Sequence, residues 1–293
     1  MSTFLQMIFG GLEAGSVAAL AALGIIIIFR TSRATNFAQG AIGMFNAFLT
    51  ASILVNHDIP VWVATIIGML VAFLTGVVID LLIIRRAKKV NILGKQIITF
   101  GLVLILVGLA PMIFGSIPIR FPHFIHPANA FQIFGARLQH NALLNILLGL
   151  GIMGILFYFL QFTKWGLAVR VTASSEGTAK LMGVPTSLVT MGAWAVAAAL
   201  GTLSALMIAP DGMGITPGLM DSVQVNALIA GVLGGFQTFY GPVIAAYITA
   251  ILRNLLRFYV SHTWGEAILL LLILLFMVVR PNGLIGKKIV KKV

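Results

Sequence analysis

Runs of about 18 or more predominantly apolar residues recur along this chain, each long enough to cross the roughly 30 Å hydrocarbon layer of a bilayer. No soluble core needs so many: 60% of the 293 residues are hydrophobic and 9% are charged. Within a bilayer only helices and closed barrels satisfy their own backbone hydrogen bonds. The apolar–polar alternation of a membrane barrel is absent. The expectation is an all-α polytopic membrane protein, one transmembrane domain over residues 1–293.

A net charge of +12 invites a nucleic-acid reading. The placement of the charges argues against it. Lys and Arg gather at Arg30 and Arg33, from Arg85 to Lys95, from Lys164 to Lys180, and from Arg280 through Lys292. These are gaps between apolar runs, the pattern that marks a cytoplasmic face. There is no cysteine, so disulfides and thiol chemistry are excluded. The first basic residue, Arg30, follows the first apolar run. That is the reverse of a secretory signal, and it predicts a first span running from outside to inside.

The order of elements follows. A span from Phe4 to Phe29, interrupted by Gly10, Gly11, Glu13 and Gly15, leads through a polar link to a second from Phe37 to Val55. Asp58 and Pro60 read as cap and first turn of a third, ending near Ile84 before the basic run Arg85–Lys89. A fourth covers Ile97–Phe114. A loop over 116–140 carries Pro118, Pro122 and Pro127 and few basic residues, so it is expected outside. Spans over Ala142–Phe162 and Leu188–Ala209 follow, then a Gly/Pro/Asp link over 210–221 and a closing span over Ala267–Val279. Between 223 and 242 the chain is too short and too rich in glycine for a simple crossing. A broken or re-entrant segment is expected there, covered by protein. The total is about eight to ten spans, nine if that segment crosses, with an external N-terminus and a cytoplasmic C-terminus.

Residues 163–187 form a polar island. Ser174 and Ser175 suit an N-cap, and Glu176 sits in the first turn, where the helix dipole favours an acid. Glu176 and Lys180 form an i, i+4 pair. Gly183 and Pro185 end the element. The expected helix, about Ser175 to Met182, is too short to be stable alone. It is built to be pressed against something. Ala179, Leu181, Met182 and Val184 would form its apolar edge.

Four stretches, in order, carry a resemblance. They are Gly15-Ser16 with Ala19–Gly24; Asn36-Phe37-Ala38-Gln39-Gly40; Gly166-Leu167-Ala168-Val169-Arg170 running on to Ala179–Val184; and Ala227–Gly235 with Gly241-Pro242, closed by Arg280–Gly286. Together they resemble the membrane permease of ABC importers for branched-chain amino acids. The resemblance implies a type II importer-like permease with helices around a central path, in a prokaryotic plasma membrane. It implies a second, non-identical permease, two ATP-binding cassette ATPases and an external substrate-binding protein as partners. Arg170, Glu176, Ala179, Lys180, Leu181, Met182 and Gly183 would then couple the chain to the ATPase. There is no GxxxxGK[ST] phosphate loop, so ATP and Mg belong to partner subunits, and no cofactor or catalytic residue is expected in this chain. The implied substrate is an aliphatic amino acid; small amides or urea are alternatives. The chain departs from the family in having Gln39 where many members have His, and in a bulkier 234–241 stretch.

Candidate path residues are Glu13, Asn36, Gln39, Asn46, Gln224 and Asn226. Each has a plainer reading. Glu13 lies near a span end and can reach water. The amides can be interhelical hydrogen-bonding groups, worth about 0.6 kcal/mol on average. Arg253 and Arg257, four apart, are either a paired cation site or a snorkelling pair. His123 and His126 form an HxxH without supporting carboxylates, so no metal is expected. Gly149, Gly151 and Gly154, and Ala195–Gly201, read as helix-packing surfaces. A secondary transporter would need coupling charges at mid-membrane, and a membrane enzyme would need clustered catalytic groups. The chain's 7 acids are scattered.

Overall fold

The computed structural model describes residues 2–87, 90–126, 130–212 and 214–285. Lys88, Lys89, Pro127 and the tail from Gly286 lie outside the described residues. The chain is helical almost throughout: α1 (Ser2–Ser32), α2 (Gln39–His57), α3 (Val61–Ile79), α4 (Ile92–Phe114), α5 (His140–Phe162), α6 (Lys164–Ser174), α7 (Glu176–Leu181), α8 (Thr186–Ile208), α9 (Asp221–Gly234), α10 (Tyr240–Tyr259) and α11 (Gly265–Val279). The loop after α4 holds one antiparallel hairpin, β1 (Ala130–Ile133) with β2 (Ala136–Gln139). Phe134 and Gly135 turn it in the left-handed region.

Apolar sequence alone does not say which helices meet lipid. α1 is apolar on every side, and every residue from Gly15 to Ile28 is buried; a helix of that kind belongs in the centre. α8 packs against it, buried from Leu200 to Met207. α3, α4, α5 and α11 instead expose large side chains such as Ile66, Ile97, Ile155 and Leu274. Without a hydrophobic force between helices in lipid, close backbone approach holds a bundle together. A Cβ on Gly43 would lie 2.5 Å from the Gly201 carbonyl oxygen. Gly76 meets the Trp194 backbone in the same way. Gly149 faces Ser16, but nothing lies near Gly151 or Gly154. The glycine run in α5 is therefore a packing surface at one position only.

Five helices are long and apolar enough to cross a membrane among the described residues: Ser2–Ser32, Val61–Ile84, Ile92–Phe114, His140–Phe162 and Thr186–Asp211; Gly265–Val279 is a shorter apolar one. The remaining passes come from contacts. α10 runs antiparallel to α1, with Ile251 on Gly11 and Tyr247 on Gly15. At one end of the bundle the Arg137 amide donates to Gln6 Oε1 (2.8 Å). At the other, Phe29 meets Phe236 and the Leu284 amide donates to the Leu233 carbonyl (2.7 Å). These are the hairpin end and the island end. The chain passes between them nine times among the described residues. The seventh pass is composite, an irregular link over 214–220 followed by the half-length α9.

Several boundaries differ from expectation. Asp58 does not cap α3. It ends α2 in the left-handed region (φ 49°), and Pro60 stands at the N-cap position of α3. α4 begins at Ile92, because the Asn91 side chain accepts the Gly94 amide. α3 ends in a π-turn, Asp80–Ile84, with buried Asp80 3.6 Å from Arg85. The broken or re-entrant segment expected between 223 and 242 is instead the 14-residue α9, a short turn over 235–239 and the start of the 20-residue α10. The island holds two helices rather than one.

Candidate functional site

Two places gather the polar residues that a membrane bundle does not need for burial. The first is inside it. α1 runs on to Ser32, but α2 does not start beside that end. Gln39 abuts Gly24 and Gly201, and Gly24 lies eight residues before the end of α1, about 12 Å at 1.5 Å per residue. Residues 33–38 thus climb back into the bundle before α2 begins. A helix starting there has unpaired N–H groups and no water to serve them.

Side chains from two broken segments serve them. The Ala38 amide donates to Asn36 Oδ1 (3.0 Å). The Gly40 amide donates to Gln224 Oε1 (2.7 Å), and Gln224 Nε2 donates back to the Asn36 carbonyl (3.4 Å). Asn36 Nδ2 donates to Gln39 Oε1 (3.4 Å), and Gln39 Nε2 donates to the Ala197 carbonyl (2.7 Å). The Phe37 amide reaches Thr99 Oγ1 of α4 (3.2 Å). Asn36 and Gln39 are fully buried. α9, itself starting inside the bundle, thus caps α2 through Gln224. The junction joins α2, α4, α8 and α9.

The other candidate amides lie elsewhere. Asn46 donates to its own helix at Ile42 (2.9 Å) and accepts from Thr75 of α3 (3.0 Å), a packing contact. Asn226 accepts from Arg253. Glu13 accepts from Asn145 Nδ2 (2.8 Å). Arg253 and Arg257 are not paired: Arg253 Nε lies 3.3 Å from Glu266 Oε1, and Arg257 reaches His262 (3.3 Å). His123 stands 3.2 Å from Asp211, which ties the loop after α4 to the link after α8; an Ile119–Ile215 bridge repeats that tie. No group of three metal-ligating side chains occurs among the described residues.

The second place is the island. α6 is capped by Thr163, whose side chain accepts the Gly166 amide, and α7 by Ser175, which accepts the Thr178 amide (3.2 Å). Arg170 folds back onto Gln161 Oε1 and the Gln161 carbonyl (both 3.1 Å), closing the end of α5 rather than pointing outward. Lys180 and Glu176 pair at 2.6 Å. The expected apolar edge is narrower than the sequence suggested. Ala179 is fully buried and Val184 packs against the α5–α6 cluster, because both face the bundle. Leu181 and Met182 remain, 91% and 69% exposed. Gly183 sits at φ 78°, with nothing near a would-be Cβ, so its backbone conformation is what calls for glycine.

Sequence reading missed two residues. Arg33, itself in the left-handed region, donates from NH2 to the Ala173 carbonyl (2.6 Å) and the Ser174 carbonyl (3.0 Å). It clamps the joint between α6 and α7 to the strap that leads to the junction. No sequence signal points to that contact. Asn145 was findable, as an amide inside the first turns of an apolar span.

A buried helix core, and long apolar helices with their large side chains turned outward around it, define a polytopic helical membrane protein. The family described as the branched-chain amino acid transport system / permease component matches residues 7–278, and the chain belongs to that family. It is similar to a probable branched-chain amino acid transport permease protein LivH of Methanocaldococcus jannaschii, with 25% identity over 94% of this chain and 91% of that one. It is similar also to the high-affinity branched-chain amino acid transport system permease proteins LivH of Escherichia coli K12 (24%) and BraD of Pseudomonas aeruginosa (23%), each over 99% of this chain and 98% of the relative. No solved structure matches.

Proposed function

We propose that this chain is one permease subunit of an ABC importer that moves branched-chain amino acids inward. The observation that carries the reading is the family match over almost the whole chain. The island end is the cytoplasmic face. Arg30, Arg33, Arg85, Arg86, Lys95, Lys164 and Lys180 border it, in keeping with the positive-inside rule. The N-terminus is then external and the C-terminus cytoplasmic. Leu181 and Met182 seat in a groove on a separate ATPase that binds ATP and Mg, because two large apolar side chains held in water on a capped tip suit a buried anchor. The hairpin end, with the tied segments around His123 and Asp211, receives the substrate-binding protein. The exposed face of α9, Asp221, Ser222, Val225 and Val232, borders the central path against a second, non-identical permease.

The test is uptake of radiolabelled leucine by vesicles holding the co-purified assembly. Uptake should require ATP inside and binding protein outside. Uptake driven by an ion gradient without the ATPase would overturn the reading, and saturable uptake of urea or acetamide in place of leucine would overturn the substrate.

A further inference from the structure

Near the hairpin end, α1, the end of α8, α9 and α10 line an open cleft of about 180 Å³. That is below the roughly 300–1,000 Å³ of pockets that hold drug-sized ligands. Its lining carries both signs of charge. Glu13 of α1 and Asp211, just past α8, supply acids; Arg253 of α10 supplies a base, with Asn226 and Ser222 of α9 beside it. The remaining wall is apolar, with Val17, Ala18, Met207 and Val223.

The protein's own contacts leave hydrogen-bonding capacity at both charged ends, although Arg253 already donates to Asn226. Asn145 gives the Glu13 carboxylate one hydrogen bond, whereas a carboxylate can accept about four. Arg253 is 12% exposed, and its Nε, 3.3 Å from Glu266, makes no hydrogen bond among the described residues. Glu266 is itself 56% exposed and lies outside the cleft lining, so water screens that ion pair and it does not use up the Arg253 charge on the cleft side. Acids, a base and apolar side chains lining one cleft match the ammonium, carboxylate and aliphatic side chain of a free amino acid.

Building on the importer reading above, we propose that this cleft is a weak binding site for a free aliphatic amino acid on its way in. Glu13 takes the ammonium, Arg253 with Ser222 takes the carboxylate, and the apolar wall takes the side chain. The site is small and open, as release into the path requires.

The test uses the assembled transporter without binding protein or ATP, with leucine as the probe, read by saturation-transfer NMR. Isocaproate lacks the ammonium and isoamylamine lacks the carboxylate, and both should compete about tenfold to a hundredfold less well than leucine, the worth of a charged hydrogen bond. In Glu13→Gln, leucine should fall to the level of isocaproate. In Arg253→Gln, it should fall to the level of isoamylamine. This reciprocal pattern is one that a general loss of packing does not give. Should either variant fail to assemble, Ser222→Tyr fills the cleft from its exposed side and should abolish the leucine signal. An unchanged leucine signal in the variants overturns the site. So does no leucine signal from a preparation that takes up leucine once binding protein and ATP are added. A preparation that takes up no leucine under those conditions overturns the importer reading instead, and this site with it.

Discussion

The buried junction around Gln39 and the exposed island around Leu181 are opposites. In the junction, amides sit where lipid-like surroundings punish an unpaired polar group, and each has a partner. In the island, leucine and methionine sit where water punishes apolar area, and neither is covered. A polar group inside with its hydrogen bonds made is structural glue. An apolar group outside with nothing over it is an unfinished contact. Polarity alone therefore says little about function; what matters is whether a group's own chain has satisfied it.

The most damaging test of that contrast is at the tip. Leu181→Asp leaves the permease fold untouched, since the side chain meets only solvent. In an ATPase groove it buries an unpaired charge, at a cost of several kcal/mol. Co-purification of the ATPase should be lost while expression and thermal unfolding of the permease stay normal. An assembly that survives intact would mean the tip is not the anchor.

The junction should respond the other way. Gln224→Leu removes the acceptor for the Gly40 amide and the donor for the Asn36 carbonyl. Leaving those buried groups unpaired costs about 1–3 kcal/mol. The melting temperature of the permease should fall while ATPase binding is retained. Normal stability with selective loss of transport would reassign Gln224 from glue to path lining.

Much of this was legible beforehand, and the misses share a cause. The apolar runs and the placement of basic residues pointed to the helices and to the two ends. The capping pattern at Ser175, Glu176 and Gly183 located α7. The break between α9 and α10, over 235–239, was readable from the glycines around it, but the irregular link before α9 was not. What sequence periodicity could not give is depth. Nothing in Asn36–Gln39 says that α2 starts about 12 Å inside the end of α1. Nothing in Gln224 says that it caps another broken helix. Facing was equally hidden: Ala179 and Leu181 are two residues apart, yet one is buried and the other free. Gly149 and Gly151 differ in the same way. Those distinctions are made by neighbours far off in sequence.

Arg33 tests whether the two regions are connected. Its guanidinium holds the α6–α7 joint to the strap leading into the junction. Charge-assisted hydrogen bonds of this kind contribute about 1.5–3 kcal/mol, but here one of the two is exposed, so the lower part of that range applies. Arg33→Gln should keep the ATPase bound and hydrolysing. Leucine moved per ATP should fall about tenfold if motion of the island reaches α2 through this strap. An unchanged ratio would show that the regions communicate through α8 instead.

The smallest effect expected is at the island's own ion pair. Lys180 and Glu176 lie 2.6 Å apart, but both side chains are more than half exposed. Exposed i, i+4 pairs contribute about 0.3–0.5 kcal/mol, and salt screens them. The same geometry in the junction would matter; here water already satisfies both groups. Lys180→Ala should therefore leave melting temperature and coupling almost unaltered. Any deficit in ATPase association should vanish as salt is raised to about 1 M, where the screening length falls to roughly 3 Å. A deficit that persists at high salt would place Lys180 inside the contact rather than at its rim, and would extend the anchor beyond Leu181 and Met182 onto the polar side of α7.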